Sequence, residues 1–128
     1  MLAEEDWYKV NVITCAAPNL RRVPSNEMNP DAGDKAAEIS VNDLRKLHEQ
    51  RIRRIFEVAA ENENEVLIAG AFGCGAFMNP PEVVAEAFQS VVKELGNRFD
   101  TVEFAVACGK KPSHNFLVFQ KVFNKNLG

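Results

Sequence analysis

VLIAGAFGCGAFMNPP, residues 66–81, decides how this chain folds. It opens on the apolar run VLIA, short and β-branched enough for a buried strand. Three glycines follow, Gly70, Gly73 and Gly75. Glycine tolerates positive φ and lets the backbone come close to a neighbour. The stretch closes on Asn79-Pro80-Pro81, a helix start in which Asn79 caps, Pro80 takes the first helical position and Glu82 stands three residues after the cap. A strand, a glycine loop and a helix N-terminus together suit an anion. The N–H groups of a first helical turn have no partner inside the helix and point at whatever lies in front of them. The glycine loop, residues 70–79, is therefore the first candidate for holding a phosphate-bearing ligand.

Downstream, residues 81–95 are expected to be a helix with Val84, Phe88, Val91 (or Val92) and Leu95 as its buried stripe and Gly96 as its C′ residue. TVEFAVA, residues 101–107, alternates as a strand with Val102, Phe104 and Val106 on one side. The aromatic tail, residues 115–124, is apolar and open to either reading, and Phe116, Phe119 and Phe123 favour a helix. Upstream, ENENE at 61–65 is a polar turn. Before it, residues 40 to about 60 form an amphipathic helix capped by Ser40 and lined by Val41, Leu44, Leu47, Ile52, Ile55 and Ala59. Arg45, Lys46, Arg51, Arg53 and Arg54 lie on its other faces. A solvated face paired with Glu49 and Glu57 outweighs a binding surface, and His48 is expected to pack rather than ligate. Residues 20–39, with Pro24, Pro30 and Gly33, are a long loop. YKVNVITC, residues 8–15, is expected to be a strand that Pro18 ends.

Strands alternating with helices give an α/β fold with a largely parallel sheet and right-handed crossovers. Ligands in such sheets bind beyond the carboxyl ends of strands. Residues 14–19 and 70–79 are expected to share that rim.

The 128 residues suffice for one domain, and 46% hydrophobic with 26% charged residues is a globular composition. A formal net charge of -3 gives no global basic field, so neither nucleic acid nor an anionic membrane is an expected partner. No apolar run approaches the roughly 18 residues of a membrane span. The acidic start MLAEEDWYK lacks a signal-peptide core, which makes the cytoplasm the expected location. Cys15, Cys74 and Cys108 are odd in number and form no C-x-x-C, so neither a disulfide framework nor a metal site is expected, and no cofactor is implied. A cysteine enzyme is the competing chemistry. It would use Cys74, its pKa lowered near a helix N-terminus, with His48 or His114 as base. A buried or diphosphate-facing Cys74 carries more weight.

VITCAAPNLR at 12–21, the stretch at 47–91 that contains GAFGCGAFMNPP, and FDTVEFAV at 99–106 closely resemble the microbial-type poly(ADP-ribose) glycohydrolases, which are macrodomain proteins. The resemblance covers roughly residues 7–107. It implies a partial macrodomain-like, three-layer α/β/α fold with a mainly parallel sheet. It also implies ADP-ribose, or a related nucleotide diphosphate, as ligand. Gly73, Cys74, Gly75 and Ala76 would wrap the diphosphate, Phe77 would lie against the distal ribose, and Ala17, Pro18 and Asn19 would line the cleft, with Asn79 at the helix start. The family's catalytic signature, a triple glycine followed by Gln-Glu-Glu, precedes the TCAAPN segment. This sequence has neither motif, and its acidic pair Glu4-Glu5 has no glycine run before it. The chain therefore corresponds to the C-terminal half of such a domain, with no catalytic residue of its own. The alternatives are an active glycohydrolase whose acid comes from another chain, with Glu27, Asp31, Asp34 and Glu38 as the local candidates, and a non-binding interaction fragment. Self-association, or association with a complementing chain, is expected to cover the half-sheet.

Overall fold

The computed structural model describes residues 9–124. Three helices and two strands follow the expected order from residue 40 onward: α1 (Val41–Glu61), β1 (Val66–Ala69), α2 (Pro81–Leu95), β2 (Thr101–Phe104) and α3 (His114–Asn124). β1 and β2 pair in parallel, with Val66 opposite Thr101 and Ala69 opposite Phe104. Such a pair needs a crossover, which α2 provides. The fold is α/β with a parallel sheet, as read from the sequence.

Each helix begins and buries itself for local reasons. Ser40 Oγ accepts from the Asp43 N–H at 3.1 Å and caps α1. Leu44, His48, Ile52, Phe56 and Ala59 form its buried stripe at helical spacing. Leu47 and Ile55 are only half-buried and Val41 is exposed. Phe56, not among the expected core residues, is fully enclosed. α2 buries Val83, Val84, Ala85, Ala87, Phe88 and Val91, because it lies between α1 and α3 and must present apolar surface to both. Phe88 is the hub: its ring meets Phe104 at 5.1 Å, Phe119 at 6.0 Å and Phe56 at 6.4 Å between centroids. Strand and all three helices thus share one aromatic cluster. The basic face of α1 is partly exposed and pairs both across to α2 and, as expected for Glu57, along its own helix. Arg45 pairs with Glu86 and Arg53 with Glu94, while Arg54 reaches Glu57.

Four expectations need correction. Residues 9–15 form no strand; Tyr8 lies outside the described residues. A strand exists only against a partner, and this extended segment is held beside β1 by a side-chain bond, Asn11 Nδ2 to Asn64 Oδ1 at 2.7 Å. A cavity of about 890 Å³ separates Val10, Val12 and Ile13 from Val66, Leu67 and Ile68. β1 is not buried throughout. Leu67 and Ala69 face the helices, whereas Val66 and Ile68 are 51% and 64% exposed, so the described residues supply a helical layer and a sheet, with one sheet face bare. Asn79 does not cap α2. Pro80 is the cap residue, with no side-chain bond, and Pro81 opens the helix, because the Asn79 side chain is turned into the protein. Gly96 is right-handed (φ -61°) and leads into the 3-10 turn Gly96–Arg98 instead of a left-handed cap.

Candidate functional site

β1 ends at Ala69, and the chain then turns through a loop that folds on its own carbonyls. Cys74 N–H donates to Ala71 O at 3.0 Å, Met78 N–H to Gly75 O at 3.0 Å and Asn79 N–H to Gly73 O at 2.9 Å. Met78 takes a left-handed conformation (φ 58°) to complete the turn. These bonds leave the backbone N–H groups of Gly73, Gly75, Ala76 and Phe77 without an acceptor among the described residues. Gly75 and Ala76 are exposed. The 15-residue helix α2 starts four residues after Phe77 on Pro80 and Pro81, which carry no N–H, so its head offers the positive dipole end and the N–H groups of Glu82 and Val83 only. The loop is a run of unpaired donors at the head of a helix.

Residues 16–20 are seated against this loop. Leu20 N–H donates to Phe77 O at 2.9 Å. Gly73 has φ +74°, and a Cβ there would stand 2.6 Å from both Ala17 Cβ and Asn79 Nδ2. Gly73 is glycine so that the two segments can touch. The two loops do share one rim, as expected.

Asn79 joins them. It is 2% exposed, and its Nδ2 donates to Pro18 O at 2.8 Å and Gly73 O at 2.9 Å. Those two carbonyls fix the amide orientation, so Oδ1 is the acceptor facing His48 Nε2 at 2.8 Å. His48 therefore carries its proton on Nε2. Its Nδ1 is buried without a partner among the described residues, and the ring stands edge-on to Phe72 at 5.7 Å. Burial pushes the His48 pKa below the ordinary histidine value. The bond to Asn79 opposes that shift and the nearby Arg51 charge adds to it.

Of the residues singled out from sequence, Ala17, Pro18, Asn19, Gly73, Cys74, Gly75, Ala76, Phe77 and Asn79 are gathered in this one region. Asn19 turns its side chain to its own loop: Nδ2 donates to Pro24 O at 3.1 Å, and Oδ1 accepts from the Arg21 N–H and Nε, each at 3.3 Å. Three residues not anticipated complete the surroundings. The Arg21 guanidinium lies 5.7 Å from the Phe77 ring centroid, a cation beside the free donors. Asn115 Nδ2 reaches Cys74 O at 3.4 Å and ties α3 to the loop. His48 holds Asn79. Arg21 stood inside the VITCAAPNLR motif, whereas His48 and Asn115 are distant in sequence and carried no local signal.

The cysteine chemistry is not supported. Cys74 is half-buried, and desolvation, helped by the Glu82 charge, pushes its thiol up to about 11 rather than down. Neither histidine faces it as a base: His48 bonds Asn79, and His114 lies 3.7 Å from Glu82. Among the described residues, no helix is long and apolar enough to cross a membrane.

No family model matches the sequence, and no curated protein matches it. Solved structures do. Poly(ADP-ribose) glycohydrolase from Deinococcus radiodurans, in complex with ADP-ribose, superposes with a TM-score of 0.68 at 32% identity over 91% of this chain. A second crystal form of that complex gives 0.56 at 34% identity over 66% of the chain. The apo form, at 24% identity and a TM-score of 0.58, supports the fold alone. The chain spans 43% of the first of these structures, less than half the length of its solved relative. The similarity read from TCAAPN and GAFGCGAFxNPP thus extends to the fold. The chain is macrodomain-like and similar to a bacterial poly(ADP-ribose) glycohydrolase over most of its own length.

Proposed function

We propose, from this similarity to poly(ADP-ribose) glycohydrolase, that the chain is a binding module for ADP-ribose or a related nucleotide diphosphate. The observation that carries the reading is the run of unpaired N–H groups on Gly73, Gly75, Ala76 and Phe77 at the head of α2. Phosphate oxygens accept charge-assisted bonds from such donors, and the helix dipole favours negative charge in front of it. Arg21, whose guanidinium lies 5.7 Å from the Phe77 ring centroid and donates to Pro24 O and Asn19 Oδ1, adds a cation near the loop. Glu82, in the first turn of α2, is a like charge for the ligand, and His114 stands 3.7 Å from it. The Phe77 ring, with Arg21 on one side, lies against the distal ribose. Ala17 and Pro18 form the adjoining wall. Asn79 is a positioning residue: its amide is spent on Pro18 and Gly73, and through them it holds the wall to the loop.

The proposed activity is binding without hydrolysis by these residues. Cleaving the ribose–ribose bond needs a carboxyl held over it as general acid. The sequence has no triple glycine and no Gln-Glu-Glu, and Glu27, Asp31, Asp34 and Glu38 lie in or beside the exposed loop between Pro24 and α1.

Isothermal titration with ADP-ribose, and with AMP as the comparison lacking the second phosphate, tests the reading. Saturable heat with ADP-ribose and much weaker heat with AMP is expected. No heat with ADP-ribose at high micromolar concentration would overturn it.

A further inference from the structure

Residues 16–20, the wall of the proposed cleft, are tied down at every second residue. Ala16 O accepts from Arg51 Nη1 at 2.8 Å, Pro18 O accepts from Asn79 Nδ2 at 2.8 Å, and the Leu20 N–H donates to Phe77 O at 2.9 Å. Only the last of these joins wall and loop backbone to backbone. The other two trace back to α1. Arg51 stands one turn beyond His48, on the same face of the helix. It bonds the wall directly, whereas His48 acts through Asn79. The His48 Nε2–H donates to Asn79 Oδ1 at 2.8 Å, which leaves the Asn79 amide hydrogens for Pro18 O and Gly73 O. Without that bond Asn79 would keep a buried acceptor unpaired, and its amide would turn to satisfy it. The contact these bonds hold is close, because a Cβ at Gly73 would stand 2.6 Å from Ala17 Cβ. Where Arg45, Arg53 and Arg54 pair with glutamates, Arg51 makes no ion pair among the described residues, and its hydrogen bond goes to the wall instead.

We propose that His48 and Arg51 are positioning residues for the ligand loop: from one face of α1 they seat residues 16–20 against Gly73–Phe77, so that affinity for a diphosphate there depends on a helix that supplies none of its donors. The proposal rests on the loop being the diphosphate site. A ligand held by the loop and flanked by Ala17 and Pro18 needs both at one separation, since oriented donors gain affinity by being fixed before the ligand arrives. The two side chains act on one event. Releasing Ala16 O or Pro18 O frees the same wall, so once one bond is lost, losing the other costs little more.

Calorimetric titration with ADP-ribose compares the full 128-residue chain with His48→Phe, Arg51→Ala and the two combined, at a temperature where each is folded by its thermal melt. Each single variant is expected to bind about tenfold more weakly, and the double variant no more than about twofold more weakly again. His48→Gln returns a donor to Asn79 Oδ1 and Arg51→Lys returns one to Ala16 O, and both are expected to recover most of the affinity. Variants that bind as the parent does, or losses that multiply in the double variant, would overturn the proposal and leave the loop as the diphosphate site. The seating is also read without ligand. The Leu20 amide proton, bonded to Phe77 O, is expected to exchange with solvent about tenfold faster in His48→Phe and Arg51→Ala and near the parent rate in His48→Gln and Arg51→Lys. Arg51 is half-buried, so Arg51→Ala carries the test even where His48→Phe fails to fold. Unchanged Leu20 exchange in Arg51→Ala would overturn the proposal whether or not ADP-ribose binds.

Discussion

Gly73 and Gly75 stand two residues apart and are glycine for different reasons. At Gly73 a methyl group would strike Ala17 and Asn79, and φ is positive. Gly73→Ala is therefore expected to lower stability by about 1–3 kcal/mol, measured by urea denaturation. At Gly75 an added methyl would meet nothing within 4 Å, so Gly75→Ala is expected to fold as the parent does while crowding the approach of a phosphate. His48 makes the fold sensitive to acid. Its folded pKa lies below the unfolded value of about 6.5, so between those two values the unfolded chain binds more protons and stability rises with pH. The contribution is complete above about pH 6.5 and is lost as pH falls toward the folded pKa. Denaturation midpoints at pH 7.5 and 5.5 are expected to differ in that direction, and less so in His48→Gln. Cys74, with its thiol near 11, has a thiolate fraction of about one in ten thousand at pH 7. Iodoacetamide is expected to label it more slowly than free cysteine.

At the scale of elements, the helices were legible because their signals are local. Ser40 at the start of α1 and the proline at the start of α2 are read from neighbours in sequence, and periodicity gives the buried stripe. Phe88→Ala is expected to cost about 3–5 kcal/mol, because its ring touches three others from β2, α1 and α3. Ser40→Ala is expected to cost about 1 kcal/mol through the lost cap. Residues 9–15 were not legible in the same way. VNVIT has strand character, but character does not supply a partner, and the segment stands off the edge of β1. Asn79 was misread because an asparagine before two prolines satisfies the rules for a cap. What turned it inward, His48, is 31 residues away. Arg45 and Arg53 found Glu86 and Glu94 across the helix interface, pairs that depend on how α1 and α2 cross and that no spacing within α1 reveals.

At the scale of the whole molecule, three helices of the described residues crowd one face of a two-stranded sheet, and the glycine loop sits at the sheet's carboxyl end. The donors of the proposed binding loop, its positive helix end and its supporting Asn79–His48 pair all come from residues 17–81. The proposed diphosphate capture therefore does not wait on the bare sheet face being covered. The most direct measurement is an amide-resolved NMR titration of the ¹⁵N-labelled chain with ADP-ribose. Saturable downfield shifts of the Gly73, Gly75, Ala76 and Phe77 amide protons are expected, with one common dissociation constant that Gly75→Ala weakens. Saturable shifts elsewhere that leave these four amides unmoved would contradict that expectation.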